Sequence, residues 1–188
     1  AELLSIPVID KGARFNFPTT HPLDATDGAR DILPKADVIL ALDVADLYGS
    51  LTTVSKQTRD CVYVTSPSVK IITISMHDML VRSWAGDYQA LQPTDIPLAA
   101  DTSVAVPELT RLCRDLLGND PKTKSAMEAR RKELAEKSKS RRAKWLADAQ
   151  AKASLQNIST ACLAYDLGEV IKREDWVLVN GTSNGWAR

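Results

Sequence analysis

At 188 residues with 44% hydrophobic positions, the chain has apolar material for one core and a prior of one domain or slightly more. Lys plus Arg and Asp plus Glu balance at 24 each, so no net field draws it to nucleic acid or to an anionic membrane. Three distant cysteines without CxxC spacing support neither a disulfide framework nor a zinc site, and with no apolar run near the roughly 20 residues of a spanning helix and no basic-then-apolar leader pattern, a cytoplasmic protein is expected.

The opening Ala1-Glu2-Leu3-Leu4 reads as the last turn of a helix already under way. The close, Asn184-Gly185-Trp186-Ala187-Arg188, comes directly after the apolar run Val177-Leu178-Val179, so both ends are expected to be cuts in a longer polypeptide. Pro7-Val8-Ile9-Asp10 predicts a short first strand, followed by an irregular loop punctuated by Phe15, Phe17, Pro18 and His21-Pro22. Asp24 or Thr26 can cap a short helix towards Leu33. The unbroken run Ala36 to Asp43 is the firmest strand and belongs near the centre of a sheet, because strands buried on both faces read as continuous apolar runs.

Val69 to Ser75 predicts a second such strand, introduced by the turn Ser66-Pro67-Ser68 and followed by a loop with His77. Ile96 to Ala100 is a shorter one. Asp101 or Thr102 then caps a helix in which Val106, Leu109, Leu112, Cys113 and Leu116 recur at helical spacing, stopped by Gly118-Asn119-Asp120-Pro121 and expected to pack on the sheet. From Lys122 to Lys144 ten Lys or Arg face three Glu with sparse apolar positions, which predicts a long solvated helix. A second amphipathic helix starts near Ser159, with Leu163, Leu167, Val170 and Ile171 on one face, and leads into the strand Trp176 to Val179. Short β-branched runs alternating with helical patterns give the fold class: α/β, a Rossmann-like parallel sheet of about five or six strands with flanking helices.

No glycine-rich turn follows a strand where a pyrophosphate would sit against a helix amino end. Asp43 and Asp46 stand there instead, and loop acids capping the next turn account for them more simply than a metal site. His21 and His77 lack partners at ligand spacing, and no Ser, Thr or Cys lies in a nucleophile-elbow context. The loop Asn180 to Gly185 offers backbone amides and small polar side chains after a strand, a composition suited to phosphate as well as to an ordinary glycine turn.

In this order the residues resemble the thiamine-diphosphate-dependent decarboxylases and synthases typified by acetolactate synthase and benzoylformate decarboxylase, built as pyrimidine-binding, middle and diphosphate-binding domains. Ala1 to Val8 is similar to the family's helix-into-strand segment, His21-Pro22-Leu23 to its His-Pro loop, and Ala36 to Leu42 to its Ala-Asp-hydrophobic strand. Lys70 to Ser75 and Ile96 to Asp101 resemble later strands of the middle domain; Ile158 to Ile171 and Trp176 to Gly181 resemble the entry into the diphosphate-binding domain.

The resemblance implies a middle domain over residues 1–121 without its first strand, a basic helical linker over 122–157 and the beginning of the diphosphate-binding domain over 158–188. It implies a parent lyase or transferase using thiamine diphosphate and Mg2+ beside a 2-keto acid's carbonyl, with Gly181, Thr182, Ser183 and Asn184 near the cofactor's phosphates. The activating glutamate of the pyrimidine domain and the metal-holding Gly-Asp-Gly motif are missing here, so the chain alone is expected to be inactive and to bind no cofactor itself. FAD is not expected, because Asp43, Ala45 and Ser75 replace the glycine, arginine and acid of flavin-binding relatives. The expected partners are the remaining domains of the parent and further copies in a dimer or tetramer, not nucleic acid or membrane. The alternatives are an adenine-nucleotide-binding regulatory module and an interaction protein that uses the basic helix.

Overall fold

A computed structural model describes residues 1–11, 16–55, 57–76, 90–118, 120–153 and 157–176. Among the described residues five strands form: β1 (Val38–Leu42), β2 (Thr52–Val54), β3 (Cys61–Tyr63), β4 (Lys70–Ile74) and β5 (Ile96–Leu98). The helices are α1 (Ala29–Ile32), α2 (Leu47–Leu51), α3 (Thr102–Leu117), α4 (Pro121–Lys152) and α5 (Thr160–Ile171). The architecture is mixed α/β, a three-stranded parallel sheet of order β1-β4-β5 flanked by helices, beside an antiparallel β2-β3 pair.

The two apolar runs found the sheet. Val38 pairs with Lys70 and Leu42 with Ile74, and Ile72 to Ile74 carry β5 on their other side. The beginning of β5 is fastened by Asp95, whose carboxylate accepts the Lys70 ammonium at 2.7 Å and the Ile71 N–H at 2.9 Å. That ion pair, then the amide, holds the Asp95 carboxyl below its ordinary range. Among the described residues β4, not β1, is central, which corrects the expected position of the first apolar run. Pro7 to Asp10 does not join the sheet either, because Val8 exchanges its backbone bonds with Leu23 and Ala25 of the following loop.

The core lies between β1, β4 and the short helices. Ala29, Leu33, Leu51 and Ile71 are buried together, with Ile9, Ile39, Leu47, Val64 and Val69 packed around them. Asp101 caps α3 by accepting the Ser103 N–H at 2.8 Å, and Gly118 ends it at φ 51, a conformation that favours glycine. No residue of α3 is buried, with Leu112 and Leu116 exposed at 43% and 85%. The expectation that its apolar stripe would be covered by the sheet is corrected accordingly.

The basic helix is long and largely solvated, as expected, and one side of it is docked. α4 runs 32 residues, about 48 Å at 1.5 Å per residue, and lies along the amino-terminal segment. Three of its arginines bond backbone carbonyls, Arg141 and Arg142 in part-buried positions and Arg130 at the surface. Arg130 reaches Leu4 at 3.5 Å, Arg141 reaches Asp24 at 2.8 Å, and Arg142 bonds the carbonyl of Thr19. Ser138 and Ala149 are buried on the same helix, and α5 packs against it. Eight of the ten cations between Lys122 and Lys144 are exposed, beside Glu128, Glu133 and Glu136, so the cationic surplus counted along the sequence is on the surface, with Arg141 and Arg142 half-buried.

Asp120 starts α4, its carboxylate accepting the Thr123 hydroxyl at 2.6 Å and the Thr123 N–H at 2.9 Å. The hydroxyl bond, then the amide bonds, hold this carboxyl below its ordinary value of 3.8. A depressed folded value means that the cap contributes fully above the unfolded value and is lost as pH falls through the folded one. Asp120→Ala should therefore lower helicity and thermal midpoint near neutral pH, and its gap to the parent protein should close at a pH well below the ordinary carboxylate range. Far-UV circular dichroism during thermal melts at both pH values checks this; a gap that persists in acid would show that the cap does not act through its ionised form.

Candidate functional site

Open α/β sheets place their sites outside the carboxyl ends of the strands. Here that rim is built by Asp43 after β1, Ser75 after β4, and Asp101 with Thr102 after β5. Asp43 donates its N–H to the Ile74 carbonyl at 3.0 Å, as though continuing the ladder, and then turns the chain at φ 48. This left-handed conformation favours glycine, with aspartate among the better-tolerated substitutes. Its carboxylate accepts the Thr102 hydroxyl at 2.6 Å, joining the end of β1 to the start of α3 across 59 positions of sequence.

The other acids of the rim are caps. Asp46 accepts the Gly49 N–H at 2.8 Å at the start of α2, and its carbonyl takes the Ser50 hydroxyl at 2.6 Å. Asp101 caps α3, and the Ser103 bonds hold its carboxyl below the ordinary range. Ser75 donates its N–H to the Leu98 carbonyl at 3.1 Å. Among the described residues the rim is thus three carboxylates with hydroxyls, suited to fixing loops. Among the described residues no three His, Cys, Asp or Glu side chains gather as metal ligands would.

His21 has a structural part. The Leu23 N–H donates to its Nδ1 at 3.1 Å, so in the neutral ring the proton is on Nε2, which faces Glu2 Oε1 at 3.0 Å. The imidazole meets Phe17 edge-on at 4.8 Å between centroids and ties residues 2–4 to the loop. Glu2 is held below the ordinary carboxylate range by that bond. A second concavity, about 210 Å³, lies between α3, α4 and the first turn, lined by Leu3, Leu117 and Met127 with Arg114 and Lys124. It is on the far side of α3 from the rim, at its carboxyl end.

The structure brings Asp43 and Asp101 to one rim, a meeting that spacing could not show. Gly181, Thr182, Ser183 and Asn184, the residues expected near phosphate, and His77 lie outside the described residues. Among the described residues no helix is long and apolar enough to cross a membrane. Comparison with protein-family models, with curated proteins and with solved structures gives no match to this chain, and no family assignment follows from them.

Proposed function

We propose that the chain is the central, structural part of a thiamine-diphosphate-dependent 2-keto-acid decarboxylase or synthase, with the start of the diphosphate-binding domain at residues 158–188. Its sheet is the Rossmann-like core of that central domain; its role is to space the two cofactor domains and to take part in contacts between subunits. The observation that carries this reading is the acidic rim. A central domain that binds its own nucleotide needs glycine and a cation at the turn after β1, whereas Asp43 bonds Thr102 there and Ala45 follows. A carboxylate rim that locks its own loops suits a scaffold.

In this reading thiamine diphosphate supplies the carbanion chemistry in the parent, and this chain's part is positional. Gly181 to Asn184 would offer amides and hydroxyls to the diphosphate. The deciding experiment compares the full-length gene product with the 188-residue chain, both supplied with thiamine diphosphate and Mg2+, on a panel of 2-keto acids. Cofactor-dependent decarboxylation by a parent of roughly three such domains, and none by the chain alone, is expected. A gene product no longer than this chain overturns the proposal. In the same series ADP and FAD should leave the chain's melting temperature unchanged, since a ligand at one hundred times its Kd would add about 2.7 kcal/mol.

A further inference from the structure

We propose that the outward face of α4 between Lys122 and Lys144 is a docking surface for a short acidic segment of another protein, rich in Asp and Glu. This goes beyond the scaffold role proposed above and needs none of its cofactor chemistry.

The chain is neutral only as a whole. Of its 24 cations and 24 acids, ten cations and three acids lie between Lys122 and Lys144, which leaves 14 cations against 21 acids everywhere else. Charge segregated in this way gives one element a local potential opposite in sign to that of the remaining chain. The fold keeps that potential at the surface. α4 docks through Ser138, Ala149 and the half-buried Arg141 and Arg142, while the other eight cations are exposed. Helical spacing sorts them into lines. Arg130, Lys137 and Lys144 recur every seven residues on one side, in steps of about 10.5 Å, and Lys132 and Lys139 recur likewise on another. Glu133 and Glu136 lie between the two lines, and Glu133 pairs with Lys137.

The sign and the extent of this face select its partner. The basic stretch is about 33 Å long at 1.5 Å per residue, and acids bound it in sequence, Asp115 and Asp120 before it and Asp148 after it. A nucleic acid or an anionic membrane continues past those limits and meets the acidic remainder of the chain. An extended protein segment of about ten residues spans the same length and stops there. Glu128, Glu133 and Glu136 also oppose the unbroken charge of a phosphate backbone, whereas a protein segment can answer them with a cation of its own. Each exposed ion pair contributes little, so the contact is weak, works through the sum of its pairs and fades with salt.

Fluorescence anisotropy tests the docking with the full chain and a labelled peptide of about six Glu-Ala repeats, long enough to span the face. Binding is expected at low salt, weakened at least about tenfold between roughly 20 and 300 mM NaCl. Reversing three exposed cations together, Lys137→Glu, Lys139→Glu and Lys144→Glu, leaves the arginine bonds to the amino-terminal segment in place and should weaken binding at least about tenfold. The neutral set Lys137→Gln, Lys139→Gln and Lys144→Gln should weaken it in the same direction by less, and far-UV circular dichroism should show α4 intact in both. The same reversals at Lys11, Arg30 and Arg59, exposed cations on other elements, should leave binding unchanged. No binding at low salt, or binding that both α4 sets leave intact, overturns the proposal. Tighter binding to oligothymidylate of equal charge or to phosphatidylserine vesicles than to the peptide also overturns it, in favour of a phosphate-bearing partner.

Discussion

Ile71→Ala should lower the stability of the chain by about 3 to 4 kcal/mol, whereas Ile96→Ala, on the neighbouring strand, should cost under about 1 kcal/mol. Both residues are isoleucines in the same parallel sheet, so strand propensity cancels and the difference isolates burial. Ile71 is 5% exposed, at the middle of the core with Leu33 and Leu51, and its truncation leaves a cavity that a paired sheet cannot collapse. Ile96 is 49% exposed on an edge. Because few large side chains are fully buried among the described residues, total stability should fall at the lower end of the usual 5 to 15 kcal/mol, and the Ile71 variant should lose about half of it. Urea denaturation of the two variants checks this. Equal losses would show that the core is not centred on Ile71.

The second large effect concerns the docking of α4. Replacing Arg141 with methionine, which keeps the apolar stem of the side chain and removes its donors, should cost about 2 kcal/mol. The Asp24 carbonyl, in a residue only 5% exposed, then loses its guanidinium partner, and an orphaned buried acceptor costs about 1 to 3 kcal/mol. Part of that loss is offset because Arg141 Nε is itself buried without a partner, and methionine removes that liability. The Arg142 bond to Thr19 lies on the same contact, so the two substitutions should couple and their double variant depart from additivity. Hydrogen exchange read along α4 distinguishes the mechanism: protection should fall across the helix in the Arg141 variant and stay unchanged on β4. A loss within 0.5 kcal/mol, the range of ordinary surface changes, would mean that the guanidinium does not anchor α4.

The elements were legible where local chemistry decides them. The runs around Val38 and Lys70, the Asp101 cap, the Gly118 stop and the Ser159 start all follow from periodicity and end signals that act within a few residues. What could not be read is what lies beside what. A continuous apolar run fits a central strand and an edge equally well, and among the described residues β1 is at the edge. Pro7 to Asp10 has a strand's composition, yet its backbone is claimed by Leu23 and Ala25 in a long-range pairing. The β2-β3 hairpin was missed because Thr52–Val54 and Cys61–Tyr63 are three residues each, too short for an alternation to register, and Arg59 makes the turn at φ 64 without a glycine to announce it. Charge counting found the solvated helix α4 but could not show that Arg141 and Arg142 bond carbonyls of the amino-terminal segment. At the rim, aspartate after a strand is a recognised occupant of left-handed backbone, but its partner Thr102 is visible only in three dimensions.

The inward arginine also binds the history of two distant positions together. A Cβ placed on Gly28 would fall 2.9 Å from Arg141 Nη1, whose guanidinium is already committed to Asp24. An alanine at position 28 therefore displaces the very group that anchors α4, while a shorter residue at 141 makes room for it and gives up the anchor. The change at 28 is the milder one, because the atom it meets is the far end of a flexible side chain, yet each alters what the other site tolerates. Glycine at 28 and arginine at 141 are thereby coupled, although 113 positions separate them.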